Sequence, residues 1–188
     1  MRFTLGAMAN GGHNYLFSLE ARGDWVRLRT LVILRWIAVV GQTGAVLTAH
    51  FGMGFELPLP VCALLISAAA SVNIVAQLGF PTEKRLSEHG TFLSLLFDLA
   101  QLVILLMVTG GLNNPFAVLI IGPVTISATA LRLQSTLWLG IAAVGAVALM
   151  SVIYLPLEHR EGWLLEAPEC YRSGMVAALA IAVAFLSI

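Results

Sequence analysis

This sequence is short of charge. Asp, Glu, Lys and Arg make up 11% of its 188 residues, against about a quarter in soluble domains. Ten basic and ten acidic residues cancel, so there is no basic surface of the kind that binds nucleic acid. Cysteine is rarer still, with two residues. Cys62 and Cys170 lie far apart and form no Cys-x-x-Cys pair, which argues against a disulfide framework or a dithiol redox centre. Cys62, inside an apolar run, reads as a small buried hydrophobe. Internal repeats and low-complexity tracts are missing too. What the chain has in excess is apolar surface: 59% of residues are hydrophobic and the mean hydropathy is +0.92. That composition belongs to a polytopic membrane protein, all-α because a helix satisfies its own backbone in lipid.

Residues 1–29 are the least apolar part and read as a cytoplasmic N-terminal segment. Gly6 to Asn14 is rich in Gly and Asn and reads as disordered, while Arg22, Asp24, Arg27 and Arg29 form a basic approach to the membrane. A cleavable signal peptide is not expected, because the first long apolar run starts too late and lacks a small-residue cleavage site. Six runs then approach the length needed to cross about 30 Å of hydrocarbon. They lie near 30–51, 58–79, 91–109, 116–133, 135–155 and 171–188, so residues 30–188 are expected to form a domain of six transmembrane helices. Arg35 and Trp36 fall about one turn inside the first, where Arg can snorkel and Trp can sit among the headgroups.

Lys and Arg set the orientation. Arg2, Arg22, Arg27, Arg29 and Arg35 precede or open the first helix, Lys84 and Arg85 separate the second from the third, and Arg132 the fourth from the fifth. The alternate loops carry Arg160 and Arg172 among Glu56, Glu158, Glu161, Glu166 and Glu169. The positive-inside rule therefore predicts both termini in the cytoplasm and the 110–116 loop on the outer side. In the 156–170 loop, Glu158, His159 and Glu161 are too close in sequence for a convincing metal site, and Trp163 reads as interfacial. His50, at the outer end of the first helix, could approach the 110–116 loop. Small residues at four-residue spacing, Gly41-Ala45-Ala49 and Gly174-Ala178-Ala182, allow close helix approach within the bundle or between two copies.

The polar chemistry is concentrated in Gly110-Gly111-Leu112-Asn113-Asn114-Pro115-Phe116. The glycines accept the left-handed conformation that ends a helix, Asn114 falls at the next N-cap, and Pro115 suits a first turn. Punctuation leaves Asn113 and Phe116 unexplained at a membrane boundary. An amide donor beside an aromatic ring suits an apolar ligand with carbonyl oxygens, such as a quinone whose tail stays in lipid. The free N–H groups at the following helix N-terminus would favour its electron-rich forms. A short turn without any ligand accounts for the same residues.

Within the predicted spans Asp98 is the one acid, roughly 18 Å from the outer end of the third helix at 1.5 Å per residue. Gln101 shares its face, and Ser67, Ser71 and Asn73 on the second helix are candidates to face it. Asp98 reads either as a group for proton handling or ligand-state sensing, or as a protonated acid gluing helices together. Its depth argues against sharing one small headgroup with Asn113. Pro123 is expected to kink the fourth helix by orphaning the Leu119 carbonyl, which Thr125, Ser127 or water would re-satisfy.

The Gly-Gly-Leu-Asn-Asn-Pro-Phe stretch matches the GGxxNPF motif of the RegB/PrrB/ActS family of redox-sensing histidine kinases. Arg22 to Thr30 with Leu34-Arg35-Trp36, Leu96-Phe97-Asp98-Leu99, and Pro123 to Ala128 also resemble that family's first, third and fourth helices. The resemblance runs from about Gly23 to Ser187. It implies a bacterial inner-membrane sensor, homodimeric, that binds ubiquinone near the outer loop and thereby restrains a cytoplasmic kinase core that phosphorylates a response regulator. Gly110, Gly111, Asn114, Pro115 and Phe116 fall on the motif's fixed positions, with Leu112 and Asn113 on variable ones, which moves weight from Asn113 to Asn114. The family's phospho-accepting His segment, ATP-binding boxes and redox-active cysteine do not occur in these residues. This chain alone is therefore expected neither to bind ATP nor to transfer phosphate. Asp98, Gln101 and Pro123 are the candidates for coupling. The expectation against which this stands is a small proton-coupled transporter, or a quinone-linked membrane protein, using Asp98.

Overall fold

A computed structural model describes residues 26–79 and 85–186. The expectations placed on Gly6–Asn14, Arg2, Arg22, Asp24 and Lys84 lie outside the described residues. Six α-helices carry the structure: α1 Leu28–Leu47, α2 Leu59–Gly79, α3 Glu88–Val108, α4 Ile121–Ala130, α5 Leu133–Val152 and α6 Glu169–Leu186. All six fall where the apolar runs placed them, to within a few residues except at the start of the fourth. A π turn at Thr48–Gly52 prolongs α1. Two antiparallel pairs of two-residue strands close the ends, β1 Val26–Arg27 on β3 Arg85–Leu86 and β2 Phe55–Glu56 on β4 Glu158–His159. The first joins the starts of α1 and α3 at one end of the bundle. The second joins the α1–α2 and α5–α6 connections at the other, the end that also carries the 110–116 loop.

Five helices are long and apolar enough to cross a membrane: Leu28–Gly52, α2, α3, α5 and α6. The fourth expected span, Pro115–Ala130, is a shorter apolar segment and corrects the sequence expectation. Instead of one kinked helix over 116–133, Pro115–Ile120 forms a 3-10 helix and the α-helix starts only at Ile121. Pro123 is thus the third residue of α4, in a first turn where the missing N–H has no α-helical partner to lose. The Leu119 carbonyl, expected to be orphaned, accepts the Ile121 N–H, and Thr125 Oγ1 donates to the Ile121 carbonyl at 2.9 Å. A 3-10 helix rises about 2.0 Å per residue against 1.5 Å for an α-helix, so the 16 residues Pro115–Ala130 reach roughly 27 Å. Hydropathy found the run; it does not register this change of pitch.

α1 packs along α2 and α2 along α3, while α3 also packs on α4 and α5, and α6 covers α4 and α5. The core lies among α3 to α6, around Leu95, Leu112, Ile120, Leu139, Met150 and Val183, each 2% exposed or less. A second apolar cluster, Phe55, Leu57 and Leu157, holds the β2–β4 end. Outward-facing positions are apolar as well: Val40, Leu64, Leu78, Trp138, Val152 and Phe185 are all at least 66% exposed. A surface this apolar is unstable in water and suited to lipid.

Candidate functional site

The 110–116 loop is built from backbone constraints. Gly110 (φ +108°) and Gly111 (φ +59°) both take left-handed conformations after α3. Gly111 is required twice over, because a Cβ there would lie 2.6 Å from Tyr154 Cβ and 3.0 Å from the Met150 carbonyl oxygen. The loop therefore rests directly on the end of α5. Gly111–Asn113 forms a short 3-10 turn and Asn114 caps the next.

The two asparagines divide their work. Asn114 Oδ1 accepts the Phe116 N–H at 2.9 Å, and Asn114 Nδ2 donates at 2.9 Å to both the carbonyl oxygen and Oγ1 of Thr109. Its amide is consumed in capping one helix and tying it to the end of another. Asn113 Oδ1 accepts the Ala167 N–H at 3.1 Å, fastening the loop to the approach to α6. Asn113 Nδ2 is buried with no hydrogen-bond partner among the described residues, in a side chain only 7% exposed. Phe116 and Asn114 border a cavity of about 30 Å³, room for no more than a water or so. Nearby, Tyr154 accepts a hydrogen bond from Arg172 Nη1 at 3.1 Å. The α5 end beneath Gly111 is thereby linked to α6.

Deeper in the bundle, Arg35 does not snorkel. It turns inward from α1 and meets Asp98 of α3 with Nε to Oδ1 at 2.6 Å and Nη2 to Oδ2 at 3.0 Å. Nη2 also donates to Ser94 Oγ, and the guanidinium lies over the Phe97 ring at 5.8 Å. Further along the same two helices, Gln42 and Gln101 form a reciprocal amide pair, with Nε2 to Oε1 distances of 3.2 and 3.1 Å. The second-helix candidates do not reach Asp98. Ser71 bonds back to the Ser67 carbonyl on its own exposed face, and Asn73 Nδ2 donates to the Val32 carbonyl of α1 at 3.0 Å. Sequence reasoning missed Arg35 and Gln42 as partners. The available signal was position: Asp98 is the one acid within the apolar runs, and Arg35 is a base set inside another run rather than near its outer end, in two helices that run the same way.

Asp98, Gln101 and Pro123 do come together. With Arg35, Gln42 and Gly122 they line a cavity of about 320 Å³ between α1, α3 and the fourth span, otherwise walled by aliphatic side chains. The loop residues Gly110–Phe116 lie outside it. Gln42, Leu102 and Leu119 line both this cavity and the small one under Phe116, so the two share a wall.

At the loop end of the bundle, His50 Nδ1 donates to the Phe55 carbonyl oxygen at 3.0 Å. His159 stacks on Trp163 at 4.5 Å, and the Trp163 N–H donates to Glu161. Among the described residues no three His, Cys, Asp or Glu side chains gather as a metal site. Cys62 is buried and Cys170 exposed, both as free thiols.

These features define an apolar helical bundle suited to a membrane, with a largely apolar cavity that carries a few polar groups. The sequence comparisons say which. Over 177 residues, 94% of this chain, it is 41% identical to the sensor histidine kinase RegB of Cereibacter sphaeroides. A second sensor histidine kinase RegB, from a strain of the same species, is 42% identical over 91 residues, 48% of the chain. The chain belongs to the RegB/PrrB family, in its sensor region. It spans 38% of the length of the first relative and 20% of the second. No family model matches, and no solved structure does.

Proposed function

We propose that the chain is the membrane sensor region of a redox-responsive two-component histidine kinase. In this reading it lies in the bacterial inner membrane with both termini cytoplasmic, reports the state of the ubiquinone pool, and works as a homodimer. It controls autophosphorylation of a kinase core and, through that core, a response regulator. The kinase assignment rests on the identity to RegB over nearly the whole chain. The ligand assignment rests on one observation at the Gly110, Gly111, Asn113, Asn114, Pro115, Phe116 loop: the buried Asn113 Nδ2 has a hydrogen still to give. A quinone carbonyl is an acceptor of the right kind, and Phe116 offers an aromatic face. Asn114 serves by holding the turn, since both of its donors are engaged.

The test is saturable binding of short-chain ubiquinone to the purified chain in nanodiscs, beside Asn113→Ala and Phe116→Ala. Both substitutions should weaken binding at the loop at least tenfold with helicity unchanged. Saturable binding indifferent to both would remove the loop as a ligand site. Transport through Asp98 is the weaker reading, because the carboxylate is held at both oxygens by Arg35 rather than standing free to exchange protons.

A further inference from the structure

The cavity between α1, α3 and the fourth span is not needed by any contact in the loop, and its chemistry is specific. We propose that it is a second seat for the ring of a benzoquinone or benzoquinol, inside the bundle and distinct from the 110–116 loop. The inference rests on the quinone-sensor reading and adds to it a site.

Size comes first. An apolar cavity of roughly 150 Å³ takes a benzene ring, and small-molecule sites begin at roughly 300 Å³. The cavity here is about 320 Å³. Access follows from exposure: Ile37 and Leu119, which line it, are 63% and 42% exposed on the outer face of the bundle. A ring can therefore enter sideways between α1 and the fourth span while an isoprenoid tail remains in lipid.

The polar groups then choose the ligand. In the Gln42–Gln101 pair each Nε2 gives one hydrogen to its partner and keeps one, and each Oε1 keeps a lone pair. Arg35 commits Nε and Nη2 to Asp98 and Ser94, and Nη1 takes part in none of these bonds. Asp98 contributes acceptor lone pairs only. A wall with both spare donors and spare acceptors suits a ring whose oxygens change role. The oxidised ring presents two carbonyl acceptors, which the Gln and Arg N–H groups satisfy. The reduced ring presents two hydroxyls, which can donate to Asp98 and to a Gln Oε1. No electron or proton is transferred to the protein in this scheme; the two forms engage different atoms of one wall. Differential engagement of that kind is what lets a ligand shift a conformational equilibrium. An aliphatic or lipid tail alone would leave these groups unused.

Two glycines make the seat testable. Gly41 and Gly122 both line the cavity, and a Cβ at either meets no atom within 4 Å. Gly41→Leu and Gly122→Leu therefore fill the space from opposite walls without a backbone clash, and each favours helix over Gly. The purified chain in nanodiscs is photolabelled with an azido short-chain ubiquinone, with unlabelled ubiquinone as competitor. Labelled peptides are mapped, and helicity and thermal midpoint are recorded for each variant. Competable label is expected on α1 and α3 peptides around Ile37 and Gln101, falling at least tenfold in both filling variants and persisting in Phe116→Ala. Label confined to the 110–116 peptide, or α1 and α3 label undiminished by either folded variant, would overturn the seat while leaving the sensor reading intact. Absence of any competable label together with no saturable ubiquinone binding would overturn the sensor reading, and the seat with it.

Discussion

Arg35 and Asp98, 63 positions apart, meet as a two-point ion pair between α1 and α3, with the Arg35 side chain 6% exposed and that of Asp98 24%. Each is expensive alone in an apolar bundle, and each is the other's remedy. Removing one partner strands a buried charge, at a cost of about 3–5 kcal/mol, whereas replacing both with apolar residues is often nearly neutral. Arg35→Leu and Asp98→Leu should each strongly destabilise the bundle, and the double variant should recover most of the loss. Denaturant or thermal unfolding in detergent micelles measures all three. A double variant as unstable as the sum of the singles would mean that the two residues act independently.

The loop glycines should not behave alike. Both have positive φ, which costs an L-residue about 1–2 kcal/mol, but a Cβ at Gly111 also meets Tyr154 Cβ at 2.6 Å whereas one at Gly110 meets Leu157 Cβ at 3.2 Å. Gly111→Ala should therefore lower the thermal midpoint clearly more than Gly110→Ala. Equal effects would mean that the loop lifts off α5 at little cost.

Asn114→Ala removes a cap and two tethers to Thr109 together. Loss of an N-cap costs about 1 kcal/mol, and the tethers add to it. Asn113→Ala gives up a single bond, to the Ala167 N–H, and relieves an unpartnered buried amide. Stability should thus fall more for Asn114→Ala, and ubiquinone affinity more for Asn113→Ala. Paired melting and binding curves separate the two roles.

What could be read in advance followed from local physics. Run length and hydropathy located all six helices, and Gly-Gly with Asn-Pro spelled out the punctuation between α3 and the fourth span. The 3-10 stretch was hidden because Pro115–Ile120 is as apolar as an α-helix would be, and the pitch depends on two prolines and on what packs against them. The pairings of Arg35 with Asp98 and Gln42 with Gln101 were hidden for another reason. A sequence supplies an inventory of polar groups, but which of them meet is decided by how α1 settles against α2 and α3. The use of Asn114 as a cap was legible, whereas the spare donor on Asn113 appears only once the loop is folded against Ala167.

The loop reaches α6 through two contacts. Gly111 rests on Tyr154, and the Tyr154 hydroxyl accepts from Arg172 in the first turn of α6 at 3.1 Å. Asn113 binds the backbone at Ala167, two residues ahead of that helix. A displacement of the loop by ligand has two short paths to α6, one through a side chain and one through backbone. Tyr154→Phe cuts the first while keeping the ring on which Gly111 rests. With the region fused to a histidine-kinase core, Tyr154→Phe should leave ubiquinone affinity within threefold of wild type and reduce the proposed quinone-dependent change in autophosphorylation severalfold. Affinity and response falling together would instead make Tyr154 part of the binding surface. An unchanged response would leave the Asn113–Ala167 contact as the path to α6.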